Sequence, residues 1–443
     1  MTNRYLVAVV GAGPAGLFGA RELANQGAHV VLFNRDIKPG GLAEYGIYPT
    51  KYTMKVGLRK QFRQILENPN IDYYGNISIG AQGDLSLDDL RNLGFQAVLV
   101  TAGAQGTKWL GLPGEDLKGV YHAKDVVYYY NLLPPNSQLQ YRFGKRCAIV
   151  GAGNVMVDIA RYLIRQEKVD EVIAVVRRGP AEVKFDKKEM EYVIANLDVD
   201  ALDSEIARVQ SIMEAVNQDP QAARAAILEA MPKAIEKVSD TRFRFEFLSS
   251  PVRMLGENGL LTQLEVEDTT LVLKDGETKA RGTGNKRTLD VETVIFAIGD
   301  KVDETFGLPI EWNEFVKNTS PDFPVEGISY ECFDMEVQKP IEGIFVGGWA
   351  RKASDGLVGY ARKDGINAAK AVWGYLQTKQ PDVSALKAVT SKITGLHKPA
   401  VTKADILRLE AIETEEARKR GVEEFKFSSN EDMLRAMGLT IAA

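Results

Sequence analysis

The sequence predicts an α/β protein with two parallel-sheet modules, each opening on a glycine-rich turn. Two stretches carry this expectation. "YLVAVVGAGPAGLFGARELANQGAHVVLFN" (residues 5–34) runs from an apolar strand through a glycine turn into a helix and out along a second strand. "RCAIVGAGNVMVDIARYLIRQEKVDEVIAVV" (residues 146–176) repeats that order. A chain of 443 residues, 45% hydrophobic and 26% charged, is long enough for two or three domains with separate cores.

"YLVAVV" (Tyr5–Val10) is apolar throughout, as a strand covered on both faces requires. "LFGARELANQG" is amphipathic and stops at Gly27, a helix C-cap residue. "HVVLFN" (His29–Asn34) is the next strand. In the second module the strands are "RCAIV" (Arg146–Val150) and "EVIAVV" (Glu171–Val176). Between Asn196 and Val238 the chain becomes rich in Ala and Glu. Ile206, Val209, Ile212 and Val216 fall at helical spacing and "NQDP" interrupts them, so two amphipathic helices are expected on the second module. Leu260–Ile298 alternates as a β meander with a turn at Asp275-Gly276. The tail from Pro381 is polar and helical, and is expected to be a solvated set of surface helices.

Composition removes several classes of function. A net charge of −5 provides no global basic field for nucleic acid or an anionic membrane. Two distant cysteines, Cys147 and Cys332, make neither a disulfide framework nor a Cys-x-x-Cys pair. His29, His122 and His397 lack the spacing of metal ligands, so no metal site is expected. No charge-free apolar run of membrane-spanning length occurs. The N-terminal apolar run carries a glycine register that a secretory leader does not need, which points to a cytoplasmic protein. No sequence feature fixes an oligomeric state.

The glycine turns carry the chemistry. Gly11, Gly13 and Gly16, with Pro14 and Ala15 between them, form Gly-x-Gly-x-x-Gly between a strand and a helix. The first glycine permits the tight turn, the second lets a diphosphate approach the backbone, and the third lets helix and strand pack closely. The helix N-terminus then holds the diphosphate. The second strand of such a site ordinarily ends in Asp or Glu to accept both ribose hydroxyls. Here it ends in Asn34, whose amide accepts one bond and donates another without charge assistance. In the second module Gly151 and Gly153 fit, with Asn154 and Val155 opening the helix. Met156 replaces the third glycine, so this helix should stand further from its strand. Arg177 and Arg178 end the following strand, where the adenosine ribose of a bound dinucleotide lies. A carboxylate there selects NAD, whereas two guanidiniums suit the 2′-phosphate of NADP; the alternative is a solvated arginine pair. Two dinucleotide sites, one for NADP(H), suggest a flavin enzyme. FAD would occupy the first site and NADPH the second, with hydride transfer set by stacking and orientation more than by acid–base groups.

With these motifs the chain resembles the ferredoxin–NADP reductases of the adrenodoxin-reductase type, within the two-dinucleotide-binding flavoproteins that include the glutamate synthase small subunit. "GAGPAG" resembles the family's FAD turn, "GGLAEYGIYP" (Gly40–Pro49) its flavin-side segment, and "GAGNVMVDIAR" its NADP turn. "RRGPAEVKFDKKE" (Arg177–Glu189) resembles its 2′-phosphate loop. "FRFEFLSSPVRMLG", "GGWARKASDGLVGYARKDG" (Gly347–Gly365) and the tail "VTKADILRLEAIETEEARKRG…EDMLRAMG" match as well. The resemblance implies two Rossmann-like domains. A discontinuous FAD domain, residues 1–106 and 301–443, would carry an inserted NADP domain, residues 107–300. It places Gly41, Leu42, Ile77, Gly103, Trp349, Gly356, Leu357 and Val358 with the flavin, and Glu189 near the nicotinamide. Electrons would pass from NADPH through FAD, one at a time, to a ferredoxin-like iron–sulfur protein, with the reverse direction open.

Lys51 stands where the family carries a histidine. It offers a fixed positive charge to a reduced flavin or an acidic partner, or is an ordinary surface lysine. With Glu189 and Trp349 it completes the candidate catalytic set. The chain has no iron–sulfur ligands of its own, so the acceptor is a separate protein. Arg242, Arg244, Lys184, Lys187 and Lys188 are candidates for a basic docking face. Two other readings remain: the electron-input subunit of a larger complex, and a non-catalytic NADP(H)-binding scaffold.

Overall fold

The computed structural model describes residues 4–353 and 358–439. The chain divides into two compact units: Met1–Thr107, Tyr128–Gln138 and Gly299–Ala443 in the first, Lys108–Val127 and Leu139–Ile298 in the second. The short return of Tyr128–Gln138 to the first unit has no counterpart in the sequence expectation. Its cause is apolar: Tyr128 and Leu133 pack with Tyr45, and the Tyr130 ring lies 5.4 Å from that of Tyr48.

The first unit is built on a six-stranded sheet in the order Glu331–Asp334, Lys339–Val346, Ala97–Val100, Leu6–Val10, His29–Phe33, Ile71–Tyr74. All pairings are parallel except the first. The period of two along Leu6–Val10 explains its continuous apolar run. Val7 and Val9 face one core, while Leu6, Ala8 and Val10 face the other. Helices Pro14–Asn25 and Val358–Leu376 cover one face together. They approach so closely that a Cβ on Gly365 would lie 2.1 Å from the Ala15 carbonyl oxygen. Contact between residues 350 positions apart is what makes this unit discontinuous in sequence.

The tail departs from its expected character. Helices Leu386–Thr394, Lys403–Arg420 and Asn430–Met437 bury Val389, Ile393, Leu409 and Met437 completely. Two charged residues of the tail are buried as well, Glu413 on the helix Lys403–Arg420 and Lys426 in the connector that follows it. The solvated face is real, but the buried stripe is too sparse to dominate so polar a composition.

The second unit has a five-stranded parallel sheet in the order Val120–His122, Thr293–Phe296, Arg146–Val150, Glu171–Val176, Arg242–Phe247. The expected helical pair is Val199–Glu214 and Pro220–Leu228, capped by the Asp198 and Asp219 carboxylates with Pro220 in the first helical position. Its buried stripe is Leu202, Ile206, Val209 and Met213; Ile212 is only partly covered. The meander forms from Ser249–Glu257, Leu260–Lys274 and Glu277–Asp290. Its last turn is at Asp275 (φ +53°) and Gly276 (φ +77°), the left-handed pair of a tight hairpin. Thr293–Phe296 leaves the meander to become an inner strand of the parallel sheet. No helix among the described residues is long and apolar enough to cross a membrane.

Candidate functional site

In the first glycine turn, Gly11 is left-handed (φ +103°), and a Cβ on Gly16 would lie 1.8 Å from the Gly11 carbonyl oxygen. Nothing lies within 4 Å of the place where a Cβ on Gly13 would project. The turn is therefore closed toward its own strand and open on one side, where the first backbone amides of the helix Pro14–Asn25, Ala15 among them, lack helical acceptors. Gly40 N–H donates to the Ala12 oxygen at 2.7 Å, and Gly41 comes so near Gly13 that its Cβ would lie 3.1 Å from the Gly13 Cα. Leu42, the first residue of the helix Leu42–Tyr45, is thereby brought to the turn.

Asn34 braces this assembly. Its Oδ1 accepts from Ala12 N–H at 3.0 Å, and its Nδ2 donates to the carbonyls of Asp36 (2.8 Å) and Lys38 (2.9 Å). The residue is 6% exposed. Its amide is thus committed to the loop that delivers Gly40 and Gly41, a direction the residue type does not reveal. Ile77 is fully buried in an apolar cluster, and its N–H donates to the Asn34 oxygen at 2.9 Å, so it reaches the turn through Asn34. Gly103 is left-handed (φ +75°) in the loop after Ala97–Val100, near Thr101, whose hydroxyl donates to the Gly11 oxygen at 2.9 Å. Trp349 sits half-buried in the single turn Gly348–Ala350, which is anchored by Gly348 N–H to Asp364 Oδ2 at 2.6 Å. Val358 opens the helix Val358–Leu376; Gly356 and Leu357 lie outside the described residues.

Lys51 is half-buried and precedes the helix Tyr52–Leu66. One turn further on, Lys55 is 1% exposed, a position the sequence expectation misses. Its spacing of seven from Phe62 and eleven from Leu66, both buried, is the signal that would have found it. Lys55 Nζ donates to Asn131 Oδ1 at 3.1 Å and lies 3.8 Å from Glu424. Around it is a buried ionic cluster. Glu44 pairs with Arg59 (2.6 Å), Lys426 (2.9 Å) and Lys38 (3.5 Å); Lys38 pairs with Glu413, and Arg59 with Glu424. Burial alone would raise the Glu44 carboxyl, but Lys38, Lys426 and Arg59 hold it well below the usual range. Burial pushes the Lys55 ammonium down to about 8, assisted by Lys426.

The second turn has the same plan. Gly151 is left-handed (φ +140°), Gly153 has nothing within 4 Å of its Cβ direction, and Asn154 begins the helix Asn154–Tyr162. Val155 is exposed. The whole side chain of Met156 is buried at the position where the first turn has no room for a single carbon, as a wider helix-to-strand spacing requires. Beyond Glu171–Val176, the backbone oxygen of Arg177 accepts from the Thr269 hydroxyl (2.7 Å) and that of Arg178 from Leu248 N–H (3.3 Å). Among the described residues neither guanidinium has an ion pair or a hydrogen bond. Seven other arginines of the same unit are ion-paired, namely Arg146, Arg208, Arg224, Arg242, Arg244, Arg253 and Arg287, whereas the exposed Arg142 and Arg281 also have neither an ion pair nor a side-chain hydrogen bond among the described residues. Glu189 is half-buried on the short helix Lys187–Met190.

That pairing changes the expected docking face. Arg242 is held by Glu171 and Asp198, Arg244 by Glu171 and Glu246, and Lys187 by Glu229. Of the five candidates, Lys184 and Lys188 have no ammonium partner among the described residues.

Comparison with known proteins agrees with this architecture. Mitochondrial NADPH:adrenodoxin oxidoreductase of Arabidopsis thaliana is 29% identical over 390 residues, covering 80% of this chain and 78% of its own length. The human protein of the same name is 26% identical over 481 residues, covering 98% and 92%. NADPH-ferredoxin reductase FprA of Mycobacterium tuberculosis is 26% identical over 397 residues, covering 81% of each. The solved structure of that FprA in complex with NADPH superposes with a TM-score of 0.81 at 23% identity over 98% of this chain and 99% of the other, a shared fold. Residues 5–329 match the family model for pyridine nucleotide-disulphide oxidoreductases, and the chain belongs to that family.

Proposed function

We propose that this protein is an FAD-dependent reductase that takes electrons from NADPH and passes them to a ferredoxin-like iron–sulfur protein. The observation that carries the reading is the pair of unengaged guanidiniums, Arg177 and Arg178, at the strand end beside an open glycine turn. Two adjacent cations left unpaired at the end of a strand, next to a turn whose helix amides are open, suit a multiply charged anion such as a 2′-phosphate.

The residues present fit both cofactors. Each turn leaves one glycine face clear and offers the free amides of a helix start to a diphosphate. The first unit would hold FAD and the second NADP(H). When bound, FAD would supply hydride acceptance and one-electron release, chemistry that belongs to the flavin. The chain's own part is placement. Gly41, Leu42, Gly103 and Trp349 would bound the flavin, with Ile77 supporting from below through Asn34. Glu189 would face the nicotinamide. Lys51 would present a positive charge at the acceptor side.

The family name includes disulphide chemistry, and the cysteines argue against it here. Cys147 and Cys332 are free, buried, and in different units. Burial pushes the Cys147 thiol up to about 12 and raises Cys332 as well, away from the thiolate that exchange requires. Electrons must leave by another route, and the relatives named as adrenodoxin oxidoreductases and ferredoxin reductases indicate the acceptor class. A cytoplasmic location, consistent with unpaired thiols, belongs to the same proposal; fractionation tests it against the mitochondrial compartment named for several relatives.

The test is an anaerobic titration of FAD-loaded protein followed near ~450 nm, an absorbance typical of oxidised flavin. NADPH should bleach the flavin at a concentration at least about tenfold below NADH, and Arg177→Ala with Arg178→Ala should remove most of that difference. Equal response to both nucleotides in the wild type overturns the NADPH assignment. A bound flavin that neither nucleotide bleaches overturns the reductase.

A further inference from the structure

The loop that carries Arg177, Arg178 and Glu189 is fastened to the second glycine turn by a pairing between two side chains that sequence spacing does not reveal, Asn154 and Asp186. Asp186 N–H donates to Asn154 Oδ1 at 2.7 Å, and Asn154 Nδ2 donates back to Asp186 Oδ2 at 2.7 Å. Two residues earlier, Lys184 N–H donates to the Ala152 oxygen at 2.8 Å, a single parallel rung between Gly153 and Lys184. Asn154 is the first residue of the helix whose N-terminus faces the candidate diphosphate site. Asp186 immediately precedes the short helix that carries Glu189, yet its carboxylate does not cap that helix. The carboxylate is turned to Asn154 instead. The arginine end of the loop is held separately, by Thr269 and Leu248 on the backbone oxygens and by Gly179 N–H to Glu182 Oε2 at 2.7 Å. The loop is therefore pinned at both ends, and the Asn154–Asp186 pair is its only side-chain link to the glycine turn among the described residues.

The geometry points to Asn154 and Asp186 as positioning residues for nucleotide selection. Their reciprocal bonds hold the loop in register with the glycine turn, so that one dinucleotide meets the helix amides, Arg177 and Arg178, and Glu189 together. This rests on the assignment of Arg177 and Arg178 to the 2′-phosphate. Charge alone makes the opposite demand. A carboxylate beside the start of a diphosphate-binding helix repels the ligand that the helix attracts. If Asp186 acted only through its field, removing it would tighten NADP+ binding; if it positions the loop, removing it weakens binding. The two accounts differ in sign.

The experiment uses FAD-loaded protein, calorimetric titration with NADP+ and NAD+, and amide hydrogen exchange over residues 177–190 without nucleotide. Asn154→Ala loses both bonds and should weaken NADP+ binding about tenfold, whereas Asp186→Ala keeps the bond from its backbone N–H, loses the one to its carboxylate, and should weaken binding about threefold. Each should also speed exchange in the loop, and the double variant should be no worse than Asn154→Ala alone, because Asn154 takes part in both bonds of the lock. Asp186→Asn keeps both bonds and removes the charge, so it should bind NADP+ at least as tightly as the wild type. Unchanged or tighter NADP+ binding by Asp186→Ala overturns the inference, as does unchanged loop exchange. Arg177→Ala with Arg178→Ala, measured alongside, separates the two levels. Loss of NADP+ affinity there but not at Asn154 or Asp186 refutes only the lock. No loss at the arginines refutes the phosphate assignment and, with it, nucleotide selection by the lock.

Discussion

Replacing Asn34 by the acidic residue expected at the end of the second strand should harm the protein. The Asn34 Nδ2 donates to two carbonyl oxygens, those of Asp36 and Lys38, at 2.8 and 2.9 Å in a 6% exposed site. In Asn34→Asp the bond from Ala12 N–H survives, but the second carboxylate oxygen faces two acceptors. Two lost bonds set a floor of about 2 kcal/mol. The carboxyl can escape repulsion by protonating and remaking one bond. Holding an ordinary Asp neutral at pH 7 costs about 4 kcal/mol, at roughly 1.36 kcal/mol for each of about three pH units. The loss should therefore lie between about 2 and 5 kcal/mol. Because the folded-state pKa of the introduced carboxyl is raised, the penalty should shrink as pH falls toward 4 and grow as pH rises above it. Denaturant unfolding of wild type and variant at pH 4.5 and 7 measures the loss, and flavin fluorescence measures FAD affinity. A variant that is as stable as wild type at pH 7 and binds FAD more tightly would show that the residue 34 side chain turns to the cofactor, and would refute the brace.

Lys55 gives a test of opposite pH sense. Its pKa is pushed down to about 8 by burial. Between about pH 8 and its unfolded value near 10.4 the unfolded chain binds a proton that the folded chain lacks, so stability rises with pH across that window. Lys55→Met has no such proton, so its stability relative to wild type should fall by up to about 3 kcal/mol from pH 7.5 to 10.5. A difference constant with pH would refute the assignment. Gly365→Ala should cost about 3 kcal/mol by forcing helix Val358–Leu376 away from Pro14–Asn25, whereas Gly359→Ala, with nothing within 4 Å, should be neutral or stabilising by about 0.5–1 kcal/mol. Similar unfolding midpoints for the two variants would contradict the close approach at Ala15.

What the sequence made legible was local. The glycine turns, the strand ending in Arg177 and Arg178, the Asp219-Pro220 break and the Asp275-Gly276 turn each declare themselves within a few residues. What stayed hidden depends on partners far along the chain. Lys38 and Glu413 are 375 residues apart, and Lys426 donates to the oxygen of Glu44 across 382. Neither pairing leaves a periodic trace, so the tail containing two of these residues reads as solvated. Arg242 and Arg244 look like a basic patch because alternate positions on a strand share a face. Their neutralising partners, Glu171 and Asp198, come from other elements. At Asn34 the residue type states what the amide can bond, and only the fold states where it points.

The disposition of charge separates scaffold from site in this molecule. Beneath the Gly40–Tyr45 segment, four cations (Lys38, Lys55, Arg59 and Lys426) and three anions (Glu44, Glu413 and Glu424) are gathered at low exposure. Apolar side chains of the same volume would serve stability as well or better, since desolvating ions offsets most of their attraction. Directed pairing does what apolar packing does not: it fixes the loop next to the first glycine turn to one register, using residues from the far end of the chain. In the second unit seven arginines are ion-paired, and Arg177 and Arg178 stand apart as an adjacent unpaired couple at the end of a sheet strand. Arg177 and Arg178 have firmly held backbones and unengaged side chains, the arrangement of a preorganised anion site whose complement is not part of the polypeptide. On the proposed function, the adjacent unpaired couple at the strand end is where the ligand would bind, and the paired charge is what keeps that place in position.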